Sequence, residues 1–356
     1  MQNRLSSLRA ALSRREIDAA IITAPKNIGY LCGFFYDDGY LFITEKSAFI
    51  VTDFRYEEEA AKFAFADFEI VTPKDRLAFL NEVCKKESIR SIGFESASMT
   101  VAEYNRFSSA LAVSYVPMGD VLTEMRSKKS GEEIETIRHA QGIADRAFSH
   151  ILTILDPRMT ETEVALELGY FMQKQGASGC SFETIAVSGS ASALPHGKCR
   201  NIPLSHGFLT MDFGCVYQGY CSDMTRTVVI GKATDEMKRL YNTVLEAQLA
   251  ALSVIKSGAL AKDVDAIART IIDSAGYKGA FGHGLGHGVG LDIHELPRLS
   301  PSAEEVKLEA GNIVTVEPGI YLAGKYGCRI EDMGCVTEDG FDNFTASRKD
   351  LIELFV

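Results

Sequence analysis

No stretch of about 18 consecutive apolar residues occurs in this chain, and a membrane-spanning helix needs that length. A basic excess is also lacking, since 37 lysine and arginine residues face 48 aspartate and glutamate residues, for a net charge of −11. Proteins that bind nucleic acid electrostatically present a basic surface, so this balance argues against that function. Acidic metal ligands would contribute to this negative net charge, because the count leaves out the charge of any bound metal.

The eight cysteines never form a C-x-x-C pair, which argues against a structural zinc site. No secretory apolar region is recognisable, so we expect reduced thiols and a cytoplasmic protein. Four arginines with no acidic residue before Glu16 slightly resemble a transit peptide. Leu5, Leu8 and Leu12 lie at helical spacing, however, and favour an ordinary helix that leads into a strand.

Histidine is absent before His139, and the first third of the chain holds no cluster of chemically active residues. Its alternating helical and strand patterns predict a small α/β domain. A long amphipathic helix follows, and Ser130 with Glu133 predicts a capping box at its start. At roughly 100–200 residues per domain, 356 residues predict two domains. We place them at residues 1–123 and 124–356, with further helices expected at 161–176, 235–258 and 261–276.

A first pair of acidic residues lies in the apolar, alternating segment 207–231. If this segment is a hairpin that turns at Tyr217-Gln218, Asp212 lies directly opposite Asp223, with the Cβ atoms about 5 Å apart. Two carboxylates at that distance repel each other unless a cation lies between them. Two solvated aspartates on an exposed hairpin are the alternative, but both strands are strongly apolar and predict a buried hairpin.

A second pair lies in the segment 312–336, where a glycine-rich connection centred at Gly324 joins two strand-like stretches. This register places Glu317 opposite Glu331 in another apolar hairpin, while strand alternation turns Asp332 to the other face.

The segment FGHGLGHGVGLDIHELPR at 281–298 has a glycine at every second position through its first half and contains the histidines His283, His287 and His294. Its glycines never form G-x-G-x-x-G, and HELPR is not H-E-x-x-H because arginine ends it. We interpret the glycines as small residues that let the backbone pass close to a crowded centre. Four carboxylates and one imidazole suit two divalent cations such as manganese, cobalt, zinc or iron. The residues alone therefore predict a two-metal hydrolase.

With these residues the chain resembles the Xaa-Pro peptidases of the creatinase or pita-bread fold, namely prolidase (Xaa-Pro dipeptidase) and aminopeptidase P. HGLGHGVGLDIHE at 283–295 matches the histidine signature of that family at every defined position, and the linker MRSKKSGEEI matches as well. The resemblance implies an α/β (α+β) chain, in which a creatinase-type N-terminal domain at 1–123 precedes a pita-bread catalytic domain at 124–356. It also implies a homodimer.

The resemblance further implies two divalent metal ions, manganese before cobalt or zinc, held by Asp212, Asp223, His287, Glu317 and Glu331. Asp223 and Glu331 would bridge the metals, and Asp212 would bind one of them through both oxygens. A hydroxide between the metals would be the nucleophile. Glu317 would accept and deliver the proton.

Further roles are implied for the neighbouring residues. His294 would hydrogen-bond the scissile carbonyl oxygen, and His196 would help to hold the substrate. Arg298 would bind the substrate carboxylate, unless it is an ordinary surface arginine. Arg329 would support the bridging glutamate from behind. His283 either lines the substrate pocket or is a structural histidine.

The expected reaction is hydrolysis of the Xaa-Pro bond at the N-terminus of di- or oligopeptides, and the sequence leaves dipeptidase and aminopeptidase activity open. Methionine aminopeptidases share the five ligands but generally lack such an N-terminal domain, whereas creatinase shares the fold without the ligands. A metal-free binding module of this fold is the alternative of a different class. The five retained ligands disfavour it.

Overall fold

Short apolar segments of the first third of the chain form one mixed sheet in the computed structural model, which describes residues 3–355. Its strands are β1 (Ala19–Ile22), β2 (Tyr40–Thr44), β3 (Ala48–Val51), β4 (Glu69–Val71), β5 (Ser91–Phe94) and β6 (Ser114–Pro117). Their order is β4-β3-β2-β1-β5-β6, and β1, β2 and β3 pair antiparallel while the other pairs are parallel. The first three strands are buried along their whole length, which matches their unbroken apolar sequence.

Helices precede and connect these strands, and polar side chains mark where several of the helices begin. They are α1 (Asn3–Arg14), α2 (Pro25–Cys32), α3 (Phe54–Phe63), α4 (Arg76–Glu87) and α5 (Val101–Ala110). Asp75 accepts hydrogen bonds from the first turn of α4, and Thr100 forms a capping box with Glu103 at α5. A short helix, α6 (Val121–Ser127), contains the boundary between two compact units, Met1–Met125 and Arg126–Val356.

The second unit contains two pairs of longer helices, which are α7 (Gly131–Ile154), α8 (Glu161–Lys174), α9 (Asp235–Leu252) and α10 (Ala261–Ile272). The capping box expected at Ser130 and Glu133 is present at the start of α7. Helix α9 ends six residues before the predicted position. The backbone N–H groups of Ser257 and Gly258 bond to other segments there, at Thr337 and Leu308, so the chain leaves the helix for tertiary partners.

The strands of this unit are β7 (Gly179–Cys180), β8 (Ile185–Ser188), β9 (Gly207–Phe213), β10 (Cys215–Tyr217), β11 (Tyr220–Cys221), β12 (Met224–Ile230), β13 (Gly286–Gly288), β14 (Glu295–Leu299), β15 (Ile313–Val316), β16 (Gly319–Leu322), β17 (Tyr326–Arg329), β18 (Asp332–Val336), β19 (Phe341–Asn343) and β20 (Glu353–Leu354). The two larger sheets have the orders β20-β12-β9-β8 and β14-β13-β15-β18-β19. Two small sheets, β11-β10-β7 and β16-β17, extend them.

Helices cover both faces of the ribbon formed by β9 and β12. Leu209 and Met211 pack with α7 and α8, whereas Phe208 and Val229 pack with α9 and α10. Asp212, near the end of β9, has a side chain that is only 15% exposed. The ribbon therefore carries an acidic side chain into the interior of the unit, where it needs a charged partner. Across residues 3–355, no helix has the combination of length and apolar character that a membrane crossing requires.

A buried carboxylate fixes the start of α8. Glu161 is fully buried and accepts hydrogen bonds from the backbone N–H of Ser188 (2.6 Å) and from Nε of Arg200 (2.8 Å). Burial alone would raise the pKa of Glu161, but the Arg200 guanidinium and the Ser188 donors outweigh burial and lower it. The carboxylate therefore stabilises the fold only while it is ionised.

We expect Glu161→Gln to reduce the free energy of unfolding by about 2 kcal/mol at pH 7, the size of a hydrogen bond to a charged group. Because the folded-state pKa lies below the unfolded value of about 4.3, the difference from wild type should shrink as the pH falls below that value. Urea unfolding at pH 7 and at about pH 3.5 measures both. The exposed Glu305→Gln is the control, and a difference that is independent of pH would contradict the assignment.

Candidate metal centre

Two hairpins of the second unit bend at the points where their strand pairing is interrupted, and acidic residues lie at or next to these bends. In the first hairpin, Asp212 lies in β9 just before the break between β9 and β10, and Asp223 lies in the break between β11 and β12. Glu317 and Glu331 lie in the matching interruptions of the second, between β15 and β16 and between β17 and β18. The bends direct the four side chains toward one cavity of about 680 Å³.

All ten site residues predicted from the sequence line this cavity. They are His196, Asp212, Asp223, His283, His287, His294, Arg298, Glu317, Arg329 and Glu331. They come from separate segments of the chain, so the fold and not their order along the sequence brings them together.

The predicted register of the first hairpin is wrong by two residues. Its turn is formed by Gln218 and Gly219, whose φ values of 49° and 86° are those of a type I′ turn. Asp212 therefore lies opposite Thr225 and not opposite Asp223. A shift of two residues preserves the face of the strand, so both aspartates still reach the same cavity.

The register of the second hairpin is as predicted. Val316 pairs with Asp332, so Glu317 and Glu331 follow as the next opposed positions, and Gly324 with φ of 74° lies in the turn. The Asp332 side chain leaves the cavity for the opposite face, as strand alternation predicts. It is fully buried there and accepts hydrogen bonds from other segments, from Arg226 Nη2 at 2.8 Å and Lys349 Nζ at 2.6 Å.

His287 on β13 presents one ring nitrogen to the acids. Its Nδ1 lies 3.1 Å from the carbonyl oxygen of Gly288, which only accepts hydrogen bonds, so Nδ1 carries a proton. Its Nε2 lies 3.3 Å from Oε1 of Glu317 and 3.6 Å from Oδ2 of Asp223. A lone pair and two carboxylates repel each other at these distances, so a proton or a cation must lie between them. Ligand atoms of Asp223, His287 and Glu331 all lie within 4.8 Å of one another.

Two carboxylate oxygens of the site have no partner within the described residues. These are Oδ1 of Asp212 and Oε1 of Glu331, both buried. The other oxygen of each is held, since Arg329 Nη2 donates to Asp212 at 2.6 Å and the Thr225 hydroxyl donates to Glu331 at 2.7 Å. Buried polar atoms are normally paired, so these oxygens fit a bound ion. An oxygen-rich set with one imidazole fits a divalent cation of the first transition series.

The pKa values reflect the same excess of negative charge. Burial raises the pKa of Asp223 and Glu331 well above the ordinary range, and the neighbouring carboxylates add to it. Burial would also raise the pKa of Glu317, but the hydrogen bond and charge of His287 outweigh burial and lower it to about 2. The pKa of His287 is raised in turn, although burial alone would lower it.

The remaining cavity histidines are held differently. Nε2 of His283 lies 3.0 Å from the Tyr321 hydroxyl, and Nδ1 lies 2.8 Å from the Gly284 carbonyl oxygen. His283 therefore lines the cavity and is also structurally satisfied, so the two readings of its sequence position are compatible. The ring of His294 lies 4.3 Å from the ring of His287, centroid to centroid. Burial lowers the pKa of His294 and favours its neutral form.

Three further side chains, none of them predicted from the sequence, take part in the site. Thr225 lies two residues after Asp223, and Thr315, whose hydroxyl lies 3.3 Å from Glu317, stands two residues before it. Strand alternation places residues i and i+2 on one face, so this spacing was an available signal.

Tyr321 has a weaker signal in the sequence because the hairpin bends between Glu317 and this residue. Its hydroxyl accepts a hydrogen bond from Arg329 Nη1 at 2.7 Å and also contacts His283. Tyr321 thus joins the arginine behind the acids to a histidine of the cavity wall.

The alternating glycines of β13 and its flanks are not required by backbone conformation, because none of the five has a positive φ. Four of them, at 284, 286, 288 and 290, leave room for close neighbours, whereas a Cβ at Gly282 would meet nothing within 4 Å. A Cβ at Gly286 would lie 2.0 Å from the carbonyl oxygen of Thr315 on the neighbouring strand. A Cβ at Gly290 would lie 2.5 Å from Oε2 of Glu295. The expected crowding is present, but it comes from neighbouring backbone and from a buried carboxylate.

Two family models match the chain, namely metallopeptidase family M24 at residues 135–338 and the creatinase/prolidase N-terminal domain at residues 4–128. The Xaa-Pro dipeptidase of Pyrococcus horikoshii is 36% identical, with 99% of each chain covered. A structure of a Xaa-Pro dipeptidase from Bacillus anthracis superposes with a TM-score of 0.96 at 40% identity, covering 99% of both chains.

An X-Pro aminopeptidase structure from Thermotoga maritima superposes with a TM-score of 0.90 at 37% identity, covering 96% of this chain and 99% of the other. These similarities confirm the predicted fold class, a mixed α/β chain with a creatinase-type N-terminal domain and a pita-bread catalytic domain.

We expect Asp223→Asn to raise the melting temperature of the metal-free protein by a few degrees, because it removes a buried charge that its neighbours repel. The same substitution should abolish the rise that Mn²⁺ produces in the wild type, since a bound ion stabilises only the state that binds it. Thermal unfolding in EDTA and in Mn²⁺ measures both effects.

Asp339→Asn, at an exposed aspartate, should behave like the wild type in both conditions. A metal-free Asp223→Asn protein that melts below the wild type, or one that keeps the full Mn²⁺ effect, would refute the metal-ligand assignment.

Proposed function

We propose that this chain, which belongs to metallopeptidase family M24, hydrolyses the Xaa-Pro bond at the N-terminus of short peptides. The observation that carries the proposal is the convergence of four carboxylates and His287 in one cavity, next to His294. Similarity to proteins named Xaa-Pro dipeptidase and X-Pro aminopeptidase supports the choice of substrate.

Two divalent cations, manganese before cobalt or zinc, are proposed to bind to Asp212, Asp223, His287, Glu317 and Glu331. The oxygens of Asp212 and Glu331 that lack a partner among the described residues, and the position of His287 Nε2 beside Glu317, support this set. Such cations supply Lewis acidity, which polarises a carbonyl group and acidifies water. Arg329 donates to the other oxygen of Asp212 and would limit the movement of this ligand.

The proposed chemistry of the protein itself rests on two side chains. Glu317 stays ionised beside His287 and is therefore ready to accept a proton from the attacking water and deliver it to the leaving nitrogen. His294, neutral at physiological pH, donates a hydrogen bond to the carbonyl oxygen as negative charge develops on it.

Proline fits this arrangement because the nitrogen of a Xaa-Pro bond has no hydrogen to donate. A site that activates the carbonyl oxygen does not need that hydrogen. Phe182, Ile185 and Ile293 provide apolar wall beside the acids, suited to a pyrrolidine ring. His196 and Arg298 are proposed to hold the far end of the substrate, where a dipeptide has its carboxylate.

The test compares release of free amino acid from Ala-Pro, Ala-Pro-Ala and Ala-Ala by the protein with Mn²⁺ and after EDTA treatment. We expect cleavage of Ala-Pro with Mn²⁺, none after EDTA, and recovery when Mn²⁺ or Co²⁺ is added, because the four acids cannot act without their ions. Strong cleavage of Ala-Pro-Ala would identify an aminopeptidase, and cleavage of Ala-Pro alone a dipeptidase.

The alternatives give different results in the same assay. Cleavage of Ala-Ala alone, or preference for a peptide that begins with methionine, would refute proline specificity. A purified protein that binds no divalent metal at micromolar concentration would instead favour the metal-free binding module.

Arg298 generates a separate prediction, because it lies on β14 opposite His287 and lines the cavity. Arg298→Gln should raise KM for Ala-Pro about 10-fold or more, the loss expected for a charge-assisted hydrogen bond. The value of kcat should change little. Ala-Pro amide lacks the carboxylate and is the control, so an equal rise in KM for both substrates would refute the proposed contact.

A further inference from the structure

We propose that Glu295 is the positioning residue for His294, which it holds toward the cavity through the turn that both residues share. This rests on the proposed role of His294 at the carbonyl oxygen. Glu295 itself is not among the residues that line the cavity, and its side chain is 3% exposed. It therefore acts on the reaction only through its neighbour.

The Glu295 carboxylate closes the turn that carries His294. Its Oε1 accepts a hydrogen bond from the backbone N–H of Asp292 at 3.0 Å, so it reaches back across Ile293 and His294 to the other end of the turn. Gly290 leaves room for this carboxylate, since a Cβ there would lie 2.5 Å from Oε2. The backbone N–H of Cys221 donates a hydrogen bond to the Gly290 carbonyl oxygen at 2.8 Å, which anchors the start of the segment leading to His294.

Two buried basic side chains, those of Lys129 and Arg126, hold the Glu295 carboxylate in place. Lys129 Nζ lies 3.0 Å from Oε2 of Glu295, and Arg126 Nη2 donates to Oε1. Arg126 Nη2 also donates to Oδ2 of Asp292 at 2.5 Å, so one guanidinium holds both ends of the turn. The Lys129 side chain is only 1% exposed, and its backbone N–H bonds to the Gly311 carbonyl oxygen at 2.9 Å. The cations are thus part of the framework of the second unit.

The His294 ring has no such anchor of its own. Within residues 3–355 it makes no hydrogen bond, and its ring contact is with His287. The position of the ring therefore depends on the backbone of the turn. Glu295, with its ion pairs to Arg126 and Lys129, holds that backbone. A small displacement of a catalytic group can cost about 100-fold in rate, so loss of this support should appear in kcat.

The test is a double-mutant cycle with Glu295→Gln and His294→Ala, assayed on Ala-Pro with Mn²⁺. Glu295→Gln should lower kcat by about 10- to 100-fold, with KM nearly unchanged. Because Glu295 acts through His294, Glu295→Gln should cost nothing further in the His294→Ala background. Mn²⁺ binding, measured by calorimetry, should be the same in all four proteins.

Arg126→Gln provides a second route if Glu295→Gln does not fold, because Lys129 still pairs with Glu295 in that variant. It should couple to His294→Ala in the same way. Arg138→Gln is its control, since Arg138 forms a partly exposed ion pair with Asp342, and we expect an unchanged kcat.

The outcomes separate this proposal from the proposed function. Independent, multiplicative losses of kcat in an active enzyme, or lost Mn²⁺ binding in Glu295→Gln, would overturn the positioning role alone. A wild type that does not cleave Ala-Pro would overturn the proposed function and the positioning role with it. A fully active His294→Ala variant would leave the hydrolysis of Ala-Pro standing and overturn the roles of His294 and Glu295.

Discussion

Mutual repulsion among four buried carboxylates is the constraint on which the rest of the second unit depends. Burial and neighbouring charge drive the pKa of Asp223 and Glu331 upward, and neither can remain ionised there without compensation. The protein supplies part of it through the guanidinium of Arg329 and the imidazole of His287. Hydroxyl groups of threonine hold single oxygens, which leaves other oxygens directed at the centre without protein partners within the described residues.

The two halves of the unit contribute to this centre in matching ways. Each consists of a helix pair packed on a hairpin, and each hairpin bends where its acidic residues lie. A straight hairpin would keep its strands in one sheet. The bend instead interrupts the hydrogen bonds between the strands, so backbone groups there can bond to the other half of the unit. Glu331 illustrates this, because its N–H bonds to the Thr225 carbonyl oxygen of the other hairpin at 3.1 Å.

Most of the site could be predicted from the sequence because strand alternation and glycine-marked turns are local signals. Gly324 located the second turn, and the register of Glu317 and Glu331 followed. The predicted register of the first hairpin was wrong because Gln218 adopts a left-handed backbone conformation, which is uncommon for glutamine and so was not expected from the sequence. The Glu295 ion pairs join positions about 166 residues apart, and no local pattern encodes such a distance.

The cations that hold the histidine turn also bear on how the chain can be divided. Arg126 and Lys129 precede the long helix α7 and lie outside residues 135–338, the part that matches the peptidase family. A fragment cut to that match would keep every cavity acid but leave Glu295 a buried charge without its counterions, a loss of about 3–5 kcal/mol. The second unit therefore depends on basic residues that lie upstream of the segment matching the peptidase family, and Arg126 and Lys129 belong to this unit in energy.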